Sequence, residues 1–164
     1  MGILFREGKQ MYEYRVKILK VIDGDTVDVD IDLGFGVWIH NERVRIMGID
    51  TPESRTRDAV EKLFGLAAKA RLVELLNETA ILKTQINKDG EDMKGKFGRV
   101  LGDFVVDDTM ATDILIKEGH AVAYFGGNKE EIAFKHLANR SKLLREGVIS
   151  TQQYEQAQKL MEDK

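Results

Sequence analysis

Hydrophobic and polar positions alternate along the first third of the chain. Tyr14, Val16 and Ile18 alternate with Arg15 and Lys17, and Val27, Val29 and Ile31 alternate with Asp28, Asp30 and Asp32. A period of two sends successive side chains to opposite faces, which predicts half-buried antiparallel strands joined at Asp23-Gly24-Asp25. After a glycine-bearing stretch between Gly34 and Asn41, Val44 and Ile46 alternate with Arg43 and Arg45 in a third strand that ends at Gly48. From Val60 the period becomes helical: Val60, Leu63, Phe64, Ala67, Leu72, Leu75 and Leu76 fall near one face. Residues 80–86 and 99–106 read as two more strands around a polar, glycine-bearing loop. Three helical patterns follow: one capped by Asp108 or Thr109 and ending at Gly119, one opened by Asn128 with Glu131 and ending at Gly147, and one opened by Ser150 with Gln153.

Five short strands with a helix between the third and fourth, and helices trailing, predict an α+β protein: a five-stranded Greek-key barrel of the oligonucleotide-binding type. A parallel α/β sheet would need a helix after nearly every strand, and here only turns separate the first three. The expected organisation is one domain over residues 1–150 with a helical extension over 151–164. In that extension the spacing of Tyr154, Ala157 and Leu160 predicts an amphipathic helix that packs back on the domain or pairs with a second copy.

Composition narrows this picture. With 164 residues, 43% hydrophobic and 32% charged, and a single proline, the chain can build its own core and is no disordered tail. The absence of cysteine excludes disulfides, thiolate metal sites and a cysteine nucleophile. The apolar patch Ile3-Leu4-Phe5 meets Arg6 and Glu7 too soon for a signal peptide, and no window suits a membrane span, so a cytoplasmic location is expected. The net charge of -3 means that a polyanionic partner must be gripped by a local basic cluster.

Several motif matches fail on inspection. The segment from Gly90 to Lys96 fits a phosphate loop up to its lysine, but Phe97 replaces the magnesium-binding hydroxyl and a strand follows. Asp28, Asp30 and Asp32 imitate the start of an EF-hand, yet Leu33 stands where the turn glycine belongs, and the interleaved valines favour a solvated strand face. Gly34-Phe35-Gly36 lacks the third glycine of a dinucleotide loop and reads as a hairpin, with Phe35, Val37 and Trp38 either an exposed tip or a cover for the barrel end. His40, His120 and His136 have no metal-site spacing and read as surface or satisfied core positions.

The polar residues at the strand ends make a different kind of set. Asp25 closes one turn, Asp50, Thr51 and Glu53 leave the third strand, Arg45 lies on that strand and Arg99 begins the fifth. Two carboxylates and a backbone carbonyl are hard oxygen ligands for Ca²⁺ or Mg²⁺, a third carboxylate can activate water, and two guanidinium groups can hold phosphate oxygens. At these residues the chain resembles the staphylococcal nuclease (thermonuclease) family. Val21-Ile22-Asp23-Gly24-Asp25-Thr26-Val27 is similar to its first motif, the run from Arg45 to Glu53 to its second, and Lys96-Phe97-Gly98-Arg99 to its third, with Gly119 to Tyr124 similar to the segment before the last family helix.

The resemblance implies a Ca²⁺-dependent nuclease on an oligonucleotide-binding barrel, acting on DNA and RNA with little sequence preference, favouring single strands and leaving 3′-phosphate ends. It implies that Asp25, Asp50 and the Thr51 carbonyl bind Ca²⁺, that Glu53 is the general base, and that Arg45 and Arg99 hold the phosphate. Lys96, Phe97 and Tyr124 would line the nucleotide site. Phe97 lacks the hydroxyl of the usual tyrosine, Gly126 falls where a second aromatic is common, and the stretch from Asp25 to Asp50 is longer than in the secreted enzymes. The longer stretch, with the expected lack of a signal peptide and of basic charge, favours an intracellular or phage-encoded role over extracellular digestion. The competing reading is a non-catalytic nucleic-acid or protein-binding module on the same barrel; a degenerate copy should have lost one of Asp25, Arg45, Asp50, Glu53 or Arg99, and all are kept.

Overall fold

The structure is a computed structural model that describes residues 11–85 and 99–162. Its elements run β1 (Met11–Asp23), β2 (Thr26–Asp32), β3 (Trp38–Ile46), β4 (Ile49–Asp50), α1 (Ala59–Leu75), β5 (Thr79–Gln85), β6 (Val100–Val106), β7 (Thr109–Met110), α2 (Ala111–Glu118), β8 (Val122–Ala123), α3 (Lys129–Arg145) and α4 (Thr151–Glu162). The long β1 pairs antiparallel with β5 through its first half and with β2 through its second, bending through irregularities near Leu19 and Ile22. The order β3-β2-β1-β5-β6 closes when β3 pairs parallel with β6, Val44 opposite Val100 and Ile46 opposite Gly102. The result is the predicted five-stranded barrel, with helices around it. Gly102 permits close strand approach, since a Cβ there would lie 2.6 Å from the Lys83 carbonyl oxygen.

The inward positions of the period-two pattern fill the barrel: Val16, Val27, Val29, Val44, Ile46, Leu82 and Phe104 are fully or almost fully buried. Helix α1 serves two cores. Leu72 and Leu76 join the barrel interior, whereas Val60 and Phe64 join a second cluster with Leu143, Ile149 and Ala157. The terminal helix α4 therefore packs back on α1, with the Tyr154 ring edge-on to Phe64 at a centroid distance of 6.1 Å. Among the described residues no helix is long and apolar enough to cross a membrane.

Four local expectations need correction. The third strand begins at Trp38, well before Val44, because Trp38–Glu42 extends past the barrel as a ribbon with β2 and is exposed on both faces, which erases the alternation. The hairpin between them is tight, with Gly34, Phe35 and Gly36 all at positive φ, and Phe35 fully exposed. Neither Asp108 nor Thr109 caps α2: Asp107 and Asp108 turn the chain at positive φ, and the Asp103 carboxylate on β6 instead accepts from the Thr112 amide at 3.3 Å and its hydroxyl at 2.5 Å. Asn128 does cap α3, but through the Glu130 amide at 2.8 Å; the reciprocal box expected with Glu131 is seen at α4, between Ser150 and Gln153. The aspartates of β2 are not a freely solvated face either. Asp28 binds Arg43 through both oxygens, and Asp30 accepts from the Asn41 amide.

Candidate active site

The site grows from one end of the barrel, where the β1–β2 turn meets the end of β3. Thr26 and Arg45 are cross-strand partners, so the register alone brings Arg45 beside Asp25. Asp25 is buried; its Oδ1 accepts from the Thr26 hydroxyl at 2.9 Å and its Oδ2 lies 3.4 Å from Arg45 Nη2. The same guanidinium donates to the carbonyls of Ile46, at 2.5 Å, and Ile49, at 3.0 Å. Arg45 thus bridges the turn that Gly48, at φ 80°, makes between β3 and β4.

From Asp50, the last residue of β4, the chain runs through the buried Thr51 to Glu53. This loop is held from both sides. The Glu53 amide donates to Glu61 Oε2 at 2.9 Å, and the Ser54 hydroxyl donates to Asp23. Helix α1 lies directly against it: a Cβ on Gly65 would meet the Glu53 carbonyl oxygen at 2.3 Å, and one on Gly24 would meet Ala68 Cβ at 2.8 Å. Two glycines therefore let the helix, the β1–β2 turn and the Glu53 loop close to contact distance.

This packing gathers negative charge. Glu53 is itself exposed, but partial loss of water around its carboxyl pushes its pKa above the ordinary glutamate value, and repulsion from Asp25, Asp23, Glu61 and Asp50 adds to the rise. A carboxyl held up in this way is a better proton acceptor near neutral pH than a free one. Among the described residues no three His, Asp or Glu side chains form a preassembled metal cage. The chemistry of the donors nevertheless suits a hard cation: Asp25, Asp50 and the Thr51 carbonyl all offer oxygen atoms, and the carboxylates of Asp25, Asp23, Glu61 and Asp50 gather negative charge around Glu53.

The remaining predicted residues are spread around this centre. Arg99 precedes β6 and lines an open groove of about 580 Å³ with Asp23, Thr26, Asp28, Arg43 and Arg55. Asp50, Thr51 and Glu53 line a separate cleft of about 280 Å³ whose other wall is Ala133, His136, Leu137 and Arg140 of α3. Tyr124 is half-buried in a third groove, between the turn after β3, β6 and α2, where its amide donates to the Gly48 carbonyl at 2.9 Å. Tyr124 and Glu53 do not share a cleft. Lys96, Phe97 and the glycine-lysine segment from Gly90 lie outside the described residues.

Two features escaped the sequence reading. Gly65, inside a helix, marks a close backbone approach that only the packing reveals. His136 Nε2 donates to Asp50 Oδ2 at 2.7 Å, across 86 residues of chain. A signal for the second does exist in the spacing: His136, Asn139, Arg140 and Leu143 fall at i, i+3, i+4 and i+7, one stripe of α3, and Leu143 at its end is core. Three of the four are polar. Asn139 donates to the Ala121 carbonyl at 3.3 Å, and the Arg140 guanidinium lies 5.4 Å over the Phe64 ring.

Comparison with known proteins gives the chain a family. Residues 43–151 match the family model described as staphylococcal nuclease homologue. The chain is 34% identical over 113 residues to endonuclease YncB of Bacillus subtilis (strain 168), covering 66% of this chain and 48% of that protein. It is 36% identical over 112 residues to the thermonuclease of Staphylococcus intermedius, covering 68% of this chain and 60% of the relative. To the SPbeta prophage-derived endonuclease YokF of B. subtilis it is 34% identical over 110 residues, 66% of this chain and 34% of that protein. The chain thus spans between about a third and three fifths of the length of these curated relatives. With a matched segment that takes in the end of β3, Asp50, Glu53 and Arg99 and reaches the start of α4, the chain belongs to the staphylococcal nuclease homologue family.

Proposed function

We propose that this chain is a calcium-dependent nuclease that hydrolyses phosphodiester bonds of DNA and RNA, preferring single strands and leaving 3′-phosphate ends. The observation that carries the reading is the Arg45–Asp25 pair, at 3.4 Å, together with the Glu53 carboxyl, whose pKa is raised by partial burial and by four neighbouring carboxylates, Asp25 among them. Names of the relatives, among them endonucleases and a thermonuclease, support it.

In this reading Glu53 accepts the proton of the attacking water, and its elevated pKa brings it closer to the acidity at which proton transfer is efficient. Asp25, Asp50 and the Thr51 carbonyl would hold Ca²⁺, which when bound supplies positive charge to a phosphate oxygen. Arg99, from its groove beside Asp23 and Thr26, holds the phosphate, and Arg45 fixes the Asp25 carboxylate while completing the positive side of the site. Tyr124 offers stacking surface to a base, and the family resemblance assigns Phe97 and Lys96 to the nucleotide site as well. The acidic whole-molecule charge leaves grip to these local contacts.

The test is digestion of plasmid, single-stranded DNA and RNA at millimolar Ca²⁺ or with chelator, using parent protein and Glu53→Gln side by side. Cleavage that needs Ca²⁺ and falls about 10²- to 10⁴-fold in kcat in the variant is expected. Well-folded parent that binds single-stranded DNA without cutting it would move the chain to a binding role.

A further inference from the structure

We infer that His136 is a positioning residue for the candidate cation site: from helix α3 it fixes the rotamer of Asp50, leaving the other carboxylate oxygen to face the ion. This inference rests on the metal reading of Asp50 given above. Four observations carry it. The contact is short, 2.7 Å from Nε2 to Oδ2, and is made by an imidazole only 16% exposed to a carboxylate 40% exposed. It crosses the cleft that Asp50, Thr51 and Glu53 line on one side and α3 on the other.

Apolar burial does not explain why this part of α3 lies there. Within the helix only Leu143 is fully buried, while Phe134 and Leu137, flanking His136, are 73% and 55% exposed. And the inward stripe of the helix is polar, each member meeting a defined partner: His136 with Asp50, Asn139 with the Ala121 carbonyl, Arg140 with Phe64. A carboxylate has two oxygens and about four acceptor directions, so one bond from an imidazole N–H leaves the second oxygen available. Partners of this kind orient ligating groups, and their loss typically costs about 10- to 100-fold in metal affinity. The opposite arrangement, in which His136 competes with the ion for Asp50, would give the opposite sign.

The experiment measures Ca²⁺ binding by titration calorimetry and by the Ca²⁺-induced rise in melting temperature, on the full chain without nucleic acid. His136→Phe fills the space but has no donor; His136→Gln retains an N–H that can reach the same oxygen. We expect His136→Phe to weaken Ca²⁺ binding by about 10- to 100-fold, His136→Gln to recover most of the loss, and Phe134→Ala on the same helix to bind as the parent does. At saturating Ca²⁺ the Phe variant should regain most of its kcat. If His136→Phe binds Ca²⁺ as tightly as the parent, or more tightly, the positioning role is wrong while the metal reading stands. If the parent itself binds no Ca²⁺ at millimolar concentration, the metal reading falls and this assignment falls with it.

Discussion

Arg45 offers the sharpest test, because its contacts predict a structural loss that can be measured apart from any catalytic one. Its guanidinium is 22% exposed, the Asp25 carboxylate beside it 12% exposed, and it also satisfies the Ile46 and Ile49 carbonyls. Arg45→Met keeps the length and the apolar stem but leaves a buried carboxylate without its charged partner and removes a donor from two carbonyls. Removing one partner of a buried pair costs about 3–5 kcal/mol, and the residual exposure here places the expectation at about 3 kcal/mol. For a chain of this size each kcal/mol lowers the melting temperature by about 2–4 °C, so the variant should melt about 6–12 °C below the parent. Arg45→Lys keeps the charge but not the fork and should recover only part of that loss. The assay is thermal unfolding by circular dichroism without metal, closed into a double-mutant cycle with Asp25→Asn, for which we expect a coupling of about 1–3 kcal/mol. A melting temperature within about 2 °C of the parent for Arg45→Met, or a coupling near zero, would refute the view that Arg45 pins Asp25 to the Gly48 turn.

Glu53→Gln should stabilise the fold while abolishing most activity. An acid whose folded pKa is raised binds protons more readily in the native state, so its charge subtracts stability above that pKa and the penalty fades as pH falls toward the ordinary glutamate value; the variant's gain in melting temperature should be present at about pH 7 and gone by about pH 4. Gly65→Ala should lower both melting temperature and kcat, since a helix-propensity gain of about 1 kcal/mol cannot offset driving a Cβ into the Glu53 carbonyl; an unchanged kcat would show that the loop position does not matter. Tyr154→Ala should cost about 2–4 kcal/mol in urea unfolding through the lost edge contact with Phe64 and leave kcat intact; unchanged stability would make α4 a solvated tail. Tyr124→Ala should raise KM for short single-stranded substrates about tenfold or more with kcat nearly constant. Lower melting temperature with an unchanged KM would instead assign Tyr124 to packing in its groove beside α2.

What the sequence could and could not disclose follows from how each contact is encoded. Asp25 beside Arg45 was accessible because Arg45 sits in a strand and Asp25 ends the turn just before Thr26, the cross-strand partner of Arg45, so the register set by the alternation carries the pair with it. The start of β3 was not, since a ribbon exposed on both faces has no alternation to read. The cap of α2 was hidden because Asp103 reaches it from another element. Gly65 was hidden because its meaning lies in a neighbour's backbone, not in its own helix. His136 belongs to a fourth kind. Nothing local ties it to Asp50, but the rotation of α3 about its axis is set at the far end of the helix, where Leu143 is buried and Ile149 follows. Seven residues are almost two full turns, so once Leu143 faces inward His136 must face inward as well. A helix that turns His136, Asn139 and Arg140 toward the body forgoes the apolar burial that ordinarily holds a helix in place. Hydrophobic periodicity reads such a stripe as noise, yet the missing apolar residues were the signal: polar side chains on the face that packing turns inward need partners, and here one partner is a candidate ligand of the site.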